Sequence, residues 1–476
     1  MKKTPVEVTQ PVTPSTPTEA SSPTNSRSSK PVAPAEPVDP SPFYMKDWRT
    51  IEYQEEPEDN IEWALENNKN EIECATLGKL IEMLTHHKEY DNFFTQTFIL
   101  TFRSFTDQMT LMDKLVERFC IPPTPTITHE EFGVWKKEKL DKVRLRVTST
   151  LKYWMENFFL LDFVDTEIMK KMDEIIDVME KTNAPAFANM LKKTIEKMNG
   201  DQTAGITKTE VKCPDLLKPK KSFFGKKKKY GVFDYPLLEI ARQITLLDFD
   251  SFAKIEPKEC LNQSWNKEYR VTKAPNINTM IQMFNKLSNW VGTEIVKREK
   301  LEDRVEIIEK VIELGNHCKE LNNFNALFSV ISGLNLASIF RLKQTWAAVS
   351  AEKKAQYDEL NKYISRDFNF RAIRTALKNV KPPCIPYIGL YLTDLTFIEE
   401  GNPKYINNKI NFARCRRFAE VIRDMQTYQN TRYALLPFPE LQELILGIEI
   451  LTEEEMYAQS LKVEARETKK KKKPAA

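Results

Sequence analysis

Glycine is scarce in this chain, at 12 of 476 residues. Glycine-rich loops that cradle phosphates therefore have few places to form. The nearest approach to P-loop spacing, Gly200 to Gly205, continues Ile206-Thr207 where Lys and Ser or Thr are required, so it reads as linker. Histidine is scarcer still, at four, with His86 and His87 adjacent and no H-E-x-x-H pair. The seven cysteines are scattered singly, and the closest two in sequence are Cys384 and Cys415. That spacing suggests neither a disulfide framework nor a zinc site, which fits a reducing cytosol, and no metal or cofactor is expected. The N-terminus is polar and proline-rich rather than a secretory signal, and no apolar run approaches the ~20 residues of a membrane span. A net charge of +3 gives no whole-molecule field to favour nucleic acid.

What is present describes a soluble globular protein of two or three domains, with 41% apolar and 29% charged residues. Residues 1–46 hold ten of the 27 prolines among Ser, Thr and Ala, and are expected to be a disordered tail. From 70 to 200 the pattern is helical. Leu77, Leu80, Ile81 and Leu84 form one stripe, Leu111, Leu115 and Phe119 a second, and Val147, Leu151, Trp154 and Phe158 a third. The run FFTQTFILTFRSF fits a buried helix or a strand equally by periodicity. Residues 201–232 form a linker in which seven lysines between Lys218 and Lys229 surround Phe223 and Phe224. That stretch reads as a contact with an anionic membrane surface, as a solvated spacer, or as a nuclear import signal or nucleic-acid patch, the last without an aromatic-studded basic groove beside it. Residues 233–468 carry the strongest helical signal, with stripes through Leu321, Phe324, Leu327, Phe328, Ile331 and Leu334 and through Phe418, Val421, Ile422 and Met425. On the second, Arg416, Arg417, Glu420, Arg423 and Asp424 take the polar side. A lysine-rich tail, 469–476, closes the chain. The fold class read from this is all-α.

One stretch runs against helix electrostatics. In YLTDLTFIEEGNPKYI, Tyr391 to Ile406, Gly401 reads as a helix C′ residue and Pro403 as the stop, so Glu399 and Glu400 fall in a last turn that prefers cations. An ion pair with Lys404, Arg414, Arg416 or Arg417 is the plain explanation, and it suits Glu399 better than Glu400. Exposed pairs add only about 0–1 kcal/mol, too little to account for a charge set against the dipole.

The segments ELNNFNALFSVISGLNLASIFRLKQTW (Glu320 to Trp346) and PPCIPYIGLYLTDLTFIEEGNP (Pro382 to Pro403) resemble the catalytic domain of Ras-type guanine nucleotide exchange factors. DYPLLEIARQITLLDF and YAQSLKVEAR resemble its start and end, and TLGKLIEMLTHH with FILTFRSF resembles the Ras exchanger motif that precedes it. The matches span roughly residues 70 to 467 in the family's order.

The resemblance implies an N-terminal helical domain and a larger helical bowl. From the bowl protrudes a helical hairpin that opens the nucleotide site of a small GTPase. Its first arm is the stretch just quoted, and INFARCRRFAEVIRDMQTYQ (Ile410 to Gln429) is the returning arm. By residue-by-residue match Glu400 is the carboxylate set beside the phosphate site. Thr396, four residues earlier, faces the metal site, where some relatives carry a bulkier aliphatic residue. Ile281, Phe328, Tyr363 and Tyr387 correspond to a pocket for an aromatic anchor of the GTPase, with a core role competing at Phe328 and Phe370. Asn335, Phe370 and Asn402 match further contact positions. Arg341 is open to a structural role, and Asn278 departs from an apolar residue in some relatives. The implied partner is a Ras or Rap type GTPase in the cytoplasm, with recruitment to the inner face of the plasma membrane open. No nucleic acid is expected. A GTPase-binding scaffold without exchange activity is the alternative reading, and an unrelated lipid or nucleic-acid binder acting through the lysine runs is a third.

Overall fold

The computed structural model describes residues 53–66, 69–124, 126–201, 213–219, 230–266 and 268–466. The proline-rich tail, the C-terminal lysines and Lys220 to Lys229 of the basic linker lie outside the described residues, whereas Lys218 is described and exposed. Among the described residues no helix is long and apolar enough to cross a membrane.

The N-terminal half opens with two antiparallel strands, β1 (Ile61–Glu66) and β2 (Lys69–Ala75). Helices follow at Leu77–Leu84, Asn92–Thr101, Gln108–Phe119, Asp141–Asp162, Thr166–Lys181 and Pro185–Asp201. Starts are set by short polar caps. The Thr76 hydroxyl accepts from the Lys79 amide at 3.2 Å, and the Asp91 carboxylate accepts from Phe93 and Phe94 at 2.7 and 3.1 Å. The ambiguous aromatic run is a helix, Asn92–Thr101, followed by a single tight turn at Phe102–Ser104. Phe94, Phe98 and Phe102 are buried in the core that holds Trp154, which meets Phe102 and Phe163 edge-on at 5.1 Å. Asp162 is buried there, accepting from the Trp154 indole at 2.6 Å and pairing with Arg103.

The C-terminal half is built from helices Leu237–Phe252, Pro275–Val296, Leu301–Glu320, Phe324–Leu334, Ala351–Ile364 and Asp367–Asn379. The hairpin arms Ile388–Gly401 and Phe412–Gln429 follow, with Glu453–Val463 last. Phe324–Leu334 is apolar on nearly every side and is the buried centre. It lies so close to Pro275–Val296 that a Cβ at Gly333 would stand 2.6 Å from the Ser288 carbonyl. Arg341 donates to the carbonyls of Ser460 (2.6 Å) and Glu464 (2.8 Å), so its role is structural: it fastens the loop after this helix to the last helix.

The class is all-α, with one small sheet that the stripe pattern does not reveal. Two short strands at the hairpin tip, β3 (Tyr405–Ile406) and β4 (Lys409–Asn411), turn through Asn407 and Asn408, both at positive φ (48° and 62°). β4 then pairs with β2, Cys74 opposite Asn411 and Ala75 opposite Ile410, giving the order β1-β2-β4-β3. The two halves of the chain are thereby joined through backbone hydrogen bonds at the hairpin itself.

Candidate functional site

The front arm, Ile388–Gly401, starts at a buried polar junction. Ile385 exchanges backbone hydrogen bonds with Asn322 and Phe324, at 3.0 and 2.9 Å. Asn323 caps Phe324–Leu334 through the Ala326 amide (2.9 Å) and donates to Thr245 and Asp248, both at 3.2 Å. Asn325 also donates to Asp248 (3.3 Å) and accepts from the Ile388 amide (3.5 Å). Burial pushes the Asp248 carboxyl up to about 6, against the opposing effect of the two asparagine amides. The arm's root is thus fixed by groups that have no water to fall back on.

Further along, Tyr391 donates to Asp424 of the returning arm at 2.8 Å, and burial followed by that carboxylate drives its phenol strongly upward. Asp394 receives a two-pronged Arg374 fork at 2.7 and 2.9 Å. The same guanidinium donates to the Asn369 carbonyl at 2.9 Å. It thereby holds Phe368, Asn369 and Phe370, all three left-handed at φ 50–58°. Such φ values in non-glycine residues cost about 1–3 kcal/mol each and persist only where surroundings enforce them.

The helix runs through Gly401, which is its last residue and has no left-handed φ. The C′ reading of Gly401 is therefore corrected. Asn402 ends the arm instead, its amide donating to the Ile398 carbonyl at 3.0 Å while its oxygen accepts from Arg417. The two adjacent glutamates face different ways. Glu399 is turned inward and pairs with buried Arg414 at 2.7 Å, one of the four cations considered for it. Glu400 is exposed and has no ion pair or hydrogen bond to another described residue. The other cations near it are engaged elsewhere: Arg416 donates to the Ile72 carbonyl, Arg417 to Asn402, and Lys404 lies over the Tyr405 ring at 5.4 Å. Thr396, one turn before Glu400, donates its hydroxyl to the Leu392 carbonyl at 2.7 Å.

The returning arm, Phe412–Gln429, is fastened from behind. Phe412 meets Phe94 at 4.9 Å, Arg423 donates to Thr97 at 2.7 Å and lies over Phe93 at 4.3 Å, and Lys409 reaches Glu62 at 2.7 Å. Arg416 and Arg423, on the polar side of this helix, sit in this seam, because the N-terminal half covers that side.

A second group of candidates gathers in the bowl. Tyr387 stacks on Phe328 with centroids 4.1 Å apart, and Phe370 lies 6.1 Å from Tyr387 and 6.4 Å from Phe328. Phe284, not singled out from sequence, completes the cluster 5.6 Å from Tyr387; its signal was the i+3 spacing from half-buried Ile281. A Cβ at Gly389 would collide with the Tyr387 ring, so glycine there lets the ring fold back over the arm's first turn. Phe328 is buried and forms the floor, whereas Phe370 and Tyr387 are half-buried.

Asn335 and Tyr363 are not in that cluster. Asn335 is exposed at the far end of Phe324–Leu334, held by Tyr357 (2.5 Å) and Asn361 (3.0 Å), and Tyr363 carries Lys319 over its ring at 4.4 Å. Asn278 is buried. Among the described residues no group of three or more His, Cys, Asp or Glu side chains converges as metal ligands would.

The hairpin thus has one arm tied to the N-terminal half and another that carries an exposed carboxylate with no ion pair to a described residue. The chain matches the RasGEF N-terminal motif over residues 71–175 and the RasGEF domain over residues 239–416. It is 35% identical over 410 residues to Ras guanine nucleotide exchange factor J of Dictyostelium discoideum, covering 85% of this chain and 49% of that protein. Factor A of the same organism is 34% identical over 416 residues, with 84% and 66% covered. Cell division control protein 25 of Candida albicans is 29% identical over 426 residues, with 86% and 32% covered. The chain belongs to the Ras guanine nucleotide exchange factor family, with the N-terminal motif and the catalytic domain in that order. It spans about half the length of factor J.

Proposed function

We propose that this chain is a guanine nucleotide exchange factor for a Ras-family GTPase of Ras or Rap type, and that it promotes GDP release without covalent chemistry. The observation that carries this reading is the pair of adjacent carboxylates at the hairpin tip, one neutralised by Arg414 and the other, Glu400, exposed.

Picomolar nucleotide binding corresponds to about −16 kcal/mol, most of it directed at phosphates and Mg²⁺. A factor that binds the nucleotide-free GTPase more tightly must, by linkage, weaken nucleotide binding by the same factor. Glu400 pushed beside the phosphate site repels phosphate and takes over hydrogen-bond donors that phosphate used. Thr396 crowds the metal position with its methyl group, since its hydroxyl is bound to the Leu392 carbonyl. Tyr387, Phe370 and Ile281, over the Phe328 floor, receive an apolar or aromatic side chain of the GTPase. Asn335, Tyr363 and Asn402 contribute at the rim. The brace on the returning arm supports this reading, because a wedge must resist the load it applies.

We place the reaction in the cytoplasm at the inner face of the plasma membrane, with the basic stretch Lys218–Lys229 as the contact with anionic lipid. The test of exchange is release of a fluorescent guanine nucleotide from Ras, Rap, Ral and Rho type GTPases by the full chain and by Glu400→Ala. Acceleration on one Ras-like member, reduced roughly ten- to hundredfold by the substitution, is expected for a lost charge-assisted contact. Binding to nucleotide-free GTPase without acceleration on any member would instead indicate a scaffold.

A further inference from the structure

Among the described residues, the exposed phenylalanines other than Phe397, and the exposed tyrosines Tyr90 and Tyr405, carry a cation over the ring. Arg423 lies over Phe93 at 4.3 Å, Arg146 over Tyr90 at 4.1 Å, Lys343 over Phe340 at 4.0 Å and Arg371 over Phe368 at 4.5 Å. Phe397 is the exception among these exposed phenylalanines. Its side chain is 62% exposed, and no described ring or cation covers it. On the same helix Leu395 is buried and Ile398 packs on the core, so Phe397 is not simply part of that apolar face.

Its position on the arm is informative. Thr393, Thr396, Phe397 and Glu400 follow i, i+3, i+4 and i+7 spacing and share the outer face. Both threonines turn their hydroxyls to the helix's own carbonyls, Thr393 to Gly389 and Thr396 to Leu392, each at 2.7 Å. The face therefore offers methyl groups, a phenyl ring and one carboxylate. Residues three apart on a helix lie about 5–6 Å from one another, so a surface that receives Glu400 also lies over Phe397.

We propose that Phe397 is a GTPase-contacting residue, the apolar anchor of the wedge face, and that it selects GTPases with an apolar strip beside the donors that receive Glu400. This rests on the exchange reading above. It is tested with the full chain, Phe397→Ala and Phe397→Leu, measuring nucleotide release on the GTPase that the unaltered chain accelerates. Burying a phenyl ring supports an expected loss of about tenfold or more in kcat/KM for Phe397→Ala. Phe397→Leu recovers part of it, and the unfolding midpoint of both variants stays that of the unaltered chain. Release by Phe397→Ala within twofold of the unaltered chain, or a loss accompanied by a lowered midpoint, overturns the proposal. If Glu400→Ala slows release and Phe397→Ala does not, only this inference fails. If the unaltered chain accelerates no GTPase, the exchange reading fails and takes this one with it.

Discussion

The returning arm of the hairpin is tied to the N-terminal half by a strand pairing, an aromatic contact, Arg416, Arg423 and Lys409, whereas the front arm takes its side-chain anchors from its own half of the chain. The front arm is pinned at its root by Asn325, at its middle by Arg374 and the Tyr391–Asp424 bond, and at its end by Glu399 and Asn402. Its outer face has Phe397 and Glu400 exposed. The tie to the N-terminal half therefore lies on one arm and the exposed face on the other. Exposed side chains without partners add no stiffness, so the bracing contacts and the exposed face are separated in space.

Breaking the link between the arms should cost most. Arg414→Ala leaves Glu399 half-buried with no cation, and a loss of about 3 kcal/mol in chemical denaturation is expected for a broken buried pair. Adding Glu399→Gln in a double-mutant cycle should return part of that loss, and full additivity would mean that the pair does not couple the arms.

The root of the front arm can be probed through pH. Asp248 binds its proton more tightly folded, about 6, than at its ordinary value of 3.8. The folded state therefore holds more protons in that window, and stability falls as pH rises through it, by at most about 3 kcal/mol. Asp248→Asn should flatten that slope in denaturation curves taken between pH 4 and 7; an unchanged slope would assign it to other groups.

Loosening the brace is a smaller effect. Arg423→Ala removes one hydrogen bond and one ring contact, worth about 1–2 kcal/mol together. Faster amide exchange in Phe412–Gln429 than in Ile388–Gly401 is the expected signature, and equal change in both would erase the distinction between the arms. Smallest is Glu400→Gln, expected to shift stability by no more than about 0.5 kcal/mol because the side chain is exposed. A clear loss of stability there would show that Glu400 is part of the scaffold rather than of its working face.

The helices were legible because their stripes are local: Leu77 to Leu84 and Phe324 to Leu334 each carry their periodicity within a few turns. The sheet was not, since Cys74 and Asn411 pair across most of the chain and neither strand alternates long enough to register. For the same reason the polar side holding Arg416 and Arg423 gave no sign that the N-terminal half covers it. Of the four cations considered for Glu399, the structure supplies Arg414, because Glu399 is the glutamate turned toward the returning arm. Gly401 misled because a glycine followed by proline two residues on resembles a left-handed cap, while the structure stops the helix with the Asn402 side chain.

The pairing of β2 with β4 also has a consequence for how the molecule is made. At a synthesis rate of about 5–20 residues per second, on the order of 20–70 s separate the emergence of Cys74 from that of its partner Asn411. Throughout that interval β2 has β1 on one side and an open edge on the other. An open edge invites pairing with another nascent chain, and charged residues along a strand are one defence. β2 carries them: Lys69, Glu71 and Glu73 lie among its seven residues. The strand that later pairs with the returning arm is thus charged enough to wait for it.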